Sequence, residues 1–136
     1  MKIIWLDDTR SPYNEYSKTI QSLREDDFTE EISNGETVWV KNYKDFVNEI
    51  STNGLPDLIS FDHDLADEHY HHYMYKGKEY NKLYNTFVEK TGLDCAKWLV
   101  EYCTSNSLKL PRYNVHSQNP IGKENIIKLL YNFRNK

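Results

Sequence analysis

Two short apolar runs in this chain each end in acidic residues, and that pattern limits the fold more than any other feature. One is Leu58 to Leu65, L-I-S-F-D-H-D-L, where a mostly apolar run leads into Asp62, His63 and Asp64. The other is Lys2 to Leu6, K-I-I-W-L, closed by Asp7-Asp8. Short apolar runs of this kind read as strands buried on both faces, delivering their polar residues to one edge of a sheet. A strand tip holds carboxylates rigidly and close together, and like charges so placed need a cation, a proton or a donor to compensate them. Metal binding is the simplest compensation. The plain alternative is that Asp62 and Asp64 cap the turn that follows.

The remaining elements alternate around these two. Val38-Trp39-Val40 reads as a strand, and Tyr43 to Ser51 as a helix with Phe46, Val47 and Ile50 on one face. Residues 14–24 have helix-compatible spacing at Tyr16, Ile20 and Leu23. Asn53-Gly54-Leu55-Pro56-Asp57 breaks the chain before the central strand. Thr91 and Asp94 have capping-box spacing at the head of a helix that carries Leu93, Ala96, Leu99, Val100 and Cys103. Tyr113 to Ser117 reads as the last strand, with His116, Ser117 and Asn119 at its tip. Asn119-Pro120 has the form of an N-cap followed by proline at the first helical position, and the helix then shows Ile126, Leu130 and Phe133 on one stripe. Such alternation predicts an α/β fold in three layers, a mostly parallel sheet of four to five strands with helices on both faces. Right-handed crossovers put every strand's carboxyl end along one edge, where open sheets of this class bind ligands. That edge would gather Asp7, Asp8, Asp62, His63, Asp64, His116 and Ser117.

At 136 residues the chain is expected to be a single domain, 1–136, with an inserted excursion at about 66–91. That excursion holds His69, His71, His72 and five of the eleven tyrosines, which suits either a lid whose aromatics stack on a base or a self-packed insertion. The net charge of −4 argues against a duplex-DNA surface. The charge is uneven. From Lys109 onward six Lys or Arg stand against the single acid Glu124, so this segment carries +5 and the preceding residues −9. A basic end beside an acidic cluster suits a phosphate bridged by a cation, and equally suits a helix with solvated lysines. No apolar run reaches membrane-spanning length and no signal peptide is evident. Cys95 and Cys103 match no zinc or redox spacing and read as buried thiols, in keeping with a cytoplasmic location. Oligomeric state is not legible.

The acids after the first and third strands, Asp7-Asp8 and Asp62, resemble the acidic triad of response-regulator receiver domains, and Ser117 stands where a receiver has its Ser or Thr. His63-Asp64 departs from that pattern, and no lysine obviously follows a last strand. The chain is more similar to the diverged receiver-like family of cyclic-phosphate processing receiver domains. The resemblance rests on L-D-D-T-R-S-P at 6–12, I-S-F-D-H-D-L at 59–65, T-G-L-D-C-A-K-W-L at 91–99 and V-H-S-Q-N-P-I-G-K-E-N-I at 115–126. These pieces span nearly the whole chain in order.

The resemblance implies a receiver/flavodoxin-like fold and metal-assisted hydrolysis of a cyclic phosphodiester, either a 2′,3′-cyclic phosphate RNA end or a cyclic nucleotide signal. In that reading Asp7, Asp8 and Asp62 would hold Mg²⁺ or Mn²⁺, hard ions suited to carboxylates and water. His63 or His116 would serve as general acid or base, with Asp64 in the same catalytic set. Ser117, Asn119, Gly122 and the first N–H groups of the last helix would cradle the phosphate, and Lys123 and Arg10 would add charge. Two other classes stay open. One is a module that sequesters the ligand without cleaving it. The other is a phosphoacceptor switch with Asp62 phosphorylated, against which the missing lysine weighs. The D-x-D motif of haloacid-dehalogenase-like phosphatases fits less well, because it normally lies on the first strand and continues to Thr or Val where this chain has Ala66.

Overall fold

The computed structural model describes residues 2–9, 12, 36–65 and 90–134. Within them the chain forms β1 (Lys2–Leu6), β2 (Glu36–Val40), α1 (Tyr43–Asn53), β3 (Leu58–Phe61), α2 (Gly92–Ser105), β4 (Arg112–Val115) and α3 (Pro120–Arg134). The four strands make one sheet in the order β2-β1-β3-β4, and every pairing is parallel. This is the α/β architecture expected from the alternation of apolar runs. The expected helix at 14–24 and the Tyr/His-rich excursion at 66–91 fall outside the described residues, apart from the last two positions of the latter.

The sheet is apolar because its two central strands are covered on both faces. Along β1, Ile3, Ile4, Trp5 and Leu6 are all buried, and along β3 so are Leu58, Ile59, Ser60 and Phe61. Residues of one parity face the three helices. Ile4, Leu6, Val40, Ile59, Phe61 and Val115 join Phe46 and Ile50 of α1, Cys95, Ala96, Leu99 and Cys103 of α2, and Ile126 and Leu130 of α3 in one core. A step from β2 to β3 and a step from β3 to β4 run the same way across the sheet, so right-handed crossovers put α1 and α2 on the same face. The other parity forms a different row. The register sets Trp39, Trp5, Ser60 and Asn114 side by side across the second face.

Local signals set the helix ends. Asn42 caps α1, its Oδ1 accepting from the N–H of Asp45 at 2.8 Å. The expected Thr91–Asp94 pair stands at the head of α2, where the Asp94 carboxylate accepts from the N–H of Thr91 at 2.9 Å. Asn119 caps α3, with Oδ1 accepting from the N–H of Gly122 at 3.0 Å. Both cysteines lie buried in α2, and burial pushes both thiols up. Strand β4 ends two residues before the expected Ser117, which leaves His116 and Ser117 past the strand's end.

Two of these helices begin against the polar segment that follows β3. The N–H of Gly92 donates to the carbonyl of His63 at 2.8 Å, and a Cβ on Gly92 would overlap the carbonyl oxygen of Asp62. Gly92→Ala is therefore expected to destabilise the protein by roughly 1–3 kcal/mol, the usual cost of overpacking against backbone that cannot yield. Urea denaturation would show this as a lower midpoint with an unchanged slope, while Glu101→Ala on the exposed side of α2 leaves the midpoint nearly unmoved.

Candidate functional site

The sheet's hydrogen bonding runs one residue beyond its strands. The N–H of Asp7 donates to the carbonyl of Val40 at 3.1 Å, that of Asp62 to Leu6 at 2.9 Å, and that of His116 to Phe61 at 2.9 Å. Leu6, Phe61 and Val115 are register partners, so Asp7, Asp62 and His116 form the next rung. One residue past a core-facing position, all three turn to the second face of the sheet, at its carboxyl edge. Their ligand atoms lie within 4.8 Å of one another.

The cluster is largely buried and held in place. Asp7 is fully buried and Asp62 only 3 % exposed. Asp7 Oδ1 accepts from the N–H of Thr9 at 3.0 Å, and its main-chain carbonyl accepts from Trp39 Nε1 at 2.7 Å. Asp62 Oδ1 accepts from the N–H of His63 at 2.9 Å. His116 Nε2 meets Asp7 Oδ2 at 3.0 Å, and its Nδ1 meets Ser60 Oγ at 2.7 Å. Two full carboxylate charges this close repel by at least roughly 3.5 kcal/mol at an effective dielectric of about 20, a large share of a domain's net stability. The His116–Asp7 contact meets part of that cost when the imidazole is protonated. A divalent cation would meet it more fully, and two carboxylates with one imidazole are a donor set that such ions accept.

A second group of expected site residues lies apart from this rung. The ring of His63 is fully buried, with Nδ1 2.8 Å from Asp64 Oδ1. Asn119 Nδ2 donates to the same Asp64 oxygen at 3.1 Å, and Ser117 Oγ accepts from the N–H of Asn119 at 3.1 Å. A Cβ on Gly122 would overlap the His63 ring. The close approach that Gly122 permits is thus filled by His63. His63, Asp64, Ser117, Asn119 and Gly122 together form a packed joint between the segment after β3 and the start of α3. Lys123 is exposed on the first turn of α3, and Asp8 is half-buried beside Asp7. Arg10 lies outside the described residues.

Three residues of the site were not anticipated. Ser60 and Asn114 touch each other on the second face, Asn114 Nδ2 donating to Ser60 Oγ at 3.3 Å. Trp5 stacks on the His116 ring with centroids 4.0 Å apart and planes within 6°. Their signal was the strand parity. In each strand the second-face position two residues before Asp7, Asp62 or His116 is Trp5, Ser60 or Asn114, and Ser60 is polar in an otherwise apolar run.

Among the described residues no helix is long and apolar enough to cross a membrane. A search of curated proteins found no match. The family model for the cyclic-phosphate processing receiver domain matches residues 2–132, which include both acid-tipped strands, the glycine-initiated α2 and the last strand with its His-Ser tip. The chain belongs to the family of cyclic-phosphate processing receiver domains.

Proposed function

We propose that this protein is a metal-dependent phosphoesterase acting on a cyclic phosphate, either a 2′,3′-cyclic phosphate RNA end or a cyclic nucleotide signal. One observation carries the reading. Asp7, Asp62 and His116 converge, two of them buried and one partly so, at the sheet edge where this fold class takes ligands. The family's description as cyclic-phosphate processing supports a cyclic phosphate as the substrate.

Asp7, Asp62 and His116 would hold the cation, with Asp8 at the margin. The bound ion supplies charge for a phosphoryl oxygen and acidity for a water molecule. The chain's own part is placement. The rung geometry fixes both carboxylates before any ligand arrives, so little reorganisation is needed. Helix α3 begins at the same edge and its N-terminal dipole favours an anion there, with Lys123 on its first turn and Arg10 as a further source of positive charge. The packed joint of His63, Asp64, Ser117, Asn119 and Gly122 holds that helix start against Asp62. In this reading His63 and Asp64 act through Asp62 and Asn119, as positioning residues.

The burial of His63 also favours a second reading. An imidazole sealed in this way is out of reach of substrate, and His116 already belongs to the cation cluster. Among the described residues no further imidazole stands at the edge, and a site so equipped would bind the cyclic phosphate without cleaving it.

Asp62→Asn is expected to abolish divalent-cation binding in titration calorimetry. The wild type at a cation concentration of about 100 times its Kd should gain roughly 2.7 kcal/mol of stability, seen as a raised melting midpoint, and the variant should gain none. Unchanged binding in the variant would remove Asp62 from the cation site. For the reaction, cyclic mono- and oligonucleotides and an RNA ending in a 2′,3′-cyclic phosphate are incubated with the protein in Mg²⁺, in Mn²⁺ and in chelator, then separated by liquid chromatography. Conversion of one compound with metal and none in chelator is the expected result. A compound that is depleted and reappears intact after the protein is denatured supports the sequestering reading. If every compound stays untouched and unbound, both readings fail.

A further inference from the structure

The third member of the acidic rung is a histidine, and its surroundings are built around one orientation of its ring. Trp5 lies flat beneath the imidazole, planes 6° apart, which fixes the ring's tilt. Ser60 Oγ engages Nδ1 at 2.7 Å, which fixes its rotation and turns Nε2 toward the carboxylates. Asn114 Nδ2 donates to the same hydroxyl oxygen at 3.3 Å. Ser60 is 1 % exposed and its backbone lies between β1 and β4 in the sheet, so its side chain is held on the second face beside the His116 ring. A hydroxyl oxygen has two lone pairs. With Asn114 donating to one, the other suits an N–H from Nδ1; in that tautomer Nε2 would give its lone pair to a cation held with Asp7 and Asp62, in place of the Nε2–H contact to Asp7 Oδ2 made without one. Second-sphere hydrogen bonds of this kind orient imidazole ligands in metal sites.

We propose that Ser60, Asn114 and Trp5 are positioning residues that make His116 Nε2 a direct metal ligand, and that the site thereby prefers a first-row transition ion such as Mn²⁺ over Mg²⁺. The proposal rests on the reading that Asp7, Asp62 and His116 hold a divalent cation. An all-carboxylate site suits Mg²⁺, which dehydrates reluctantly and keeps oxygen ligands. An imidazole nitrogen shifts the balance toward transition ions. None of the three positioning residues touches the cation in this arrangement. They act by holding one ring, and the ring decides which ion the rung accepts.

The test uses the full chain freed of metal and loaded with Mn²⁺ alone. Pulsed electron paramagnetic resonance should show ¹⁴N coupling from a directly bound imidazole, and calorimetry should show Mn²⁺ bound at least about tenfold more tightly than Mg²⁺. His116→Asp should abolish the ¹⁴N signal and bring the two affinities together. Ser60→Ala should weaken Mn²⁺ binding by roughly 10–100-fold, with a smaller change for Mg²⁺. Asn114→Ala, which leaves Ser60 in place, should shift the same ratio in the same direction and serves if Ser60→Ala does not fold. A merely structural role would weaken both ions equally and leave the ratio unchanged, which would overturn the proposal. Tight Mn²⁺ binding without ¹⁴N coupling would also overturn it, while leaving the cation reading intact. Failure of the wild type to bind either ion would remove the cation reading and this proposal with it.

Discussion

The site depends on the sheet's hydrogen bonds running one residue past the strands. Val40, Leu6 and Phe61 each offer a carbonyl beyond the last regular pair, and the N–H groups of Asp7, Asp62 and His116 take them. Those bonds fix three backbones in parallel register, and parallel register sends side chains at one level to the same face. Two carboxylates and an imidazole from positions 7, 62 and 116 therefore meet because their strands are in step. A slip of one residue in β3 would turn Asp62 toward the helix core and bring His63 onto the rung. The apolar core resists that slip, because Ile59 and Phe61 would leave it together.

Two helix starts brace the rung from behind. Helix α2 begins at Gly92 against the carbonyl groups of Asp62 and His63, and α3 begins near Gly122 against the His63 ring. Neither glycine has space for a side chain. The polar segment Asp62-His63-Asp64 thus divides its work between two sides. Asp62 faces the carboxyl edge beside Asp7 and His116, and His63 with Asp64 is locked to Asn119 by buried hydrogen bonds. Buried polar groups joined in this way confer rigidity, and a buried donor or acceptor left unmatched would cost on the order of 1–3 kcal/mol.

Much of this was legible from residue order. Apolar runs bounded by acids marked β1 and β3, the helical stripes of α1, α2 and α3 were periodic, and Asn119-Pro120 and Thr91…Asp94 marked two helix starts. The carboxyl edge as the place where Asp7, Asp62 and His116 gather followed from alternation and handedness. The division of labour among the polar residues was not legible. His63 and His116 look alike in sequence, each at a strand tip beside further polar residues. One is sealed against a glycine and the other is stacked on Trp5 at the edge, and this difference comes from contacts between segments more than 50 residues apart. Ser60 and Asn114 read simply as strand residues until the register set them side by side, with Ser60 against the His116 ring.

The sequence by itself determined the class of fold, the sites of its strand ends and the kinds of group delivered there. Short-range rules govern these: apolar periodicity, capping chemistry and the steric demands of proline and glycine. Only the tertiary structure decided which groups share the rung and which are buried in the joint behind it. It also decided that the rung's third member is His116, with Asp8 left at the margin. That choice rests on parallel register and close packing, which relate residues far apart in the chain and leave no local trace at any one of them.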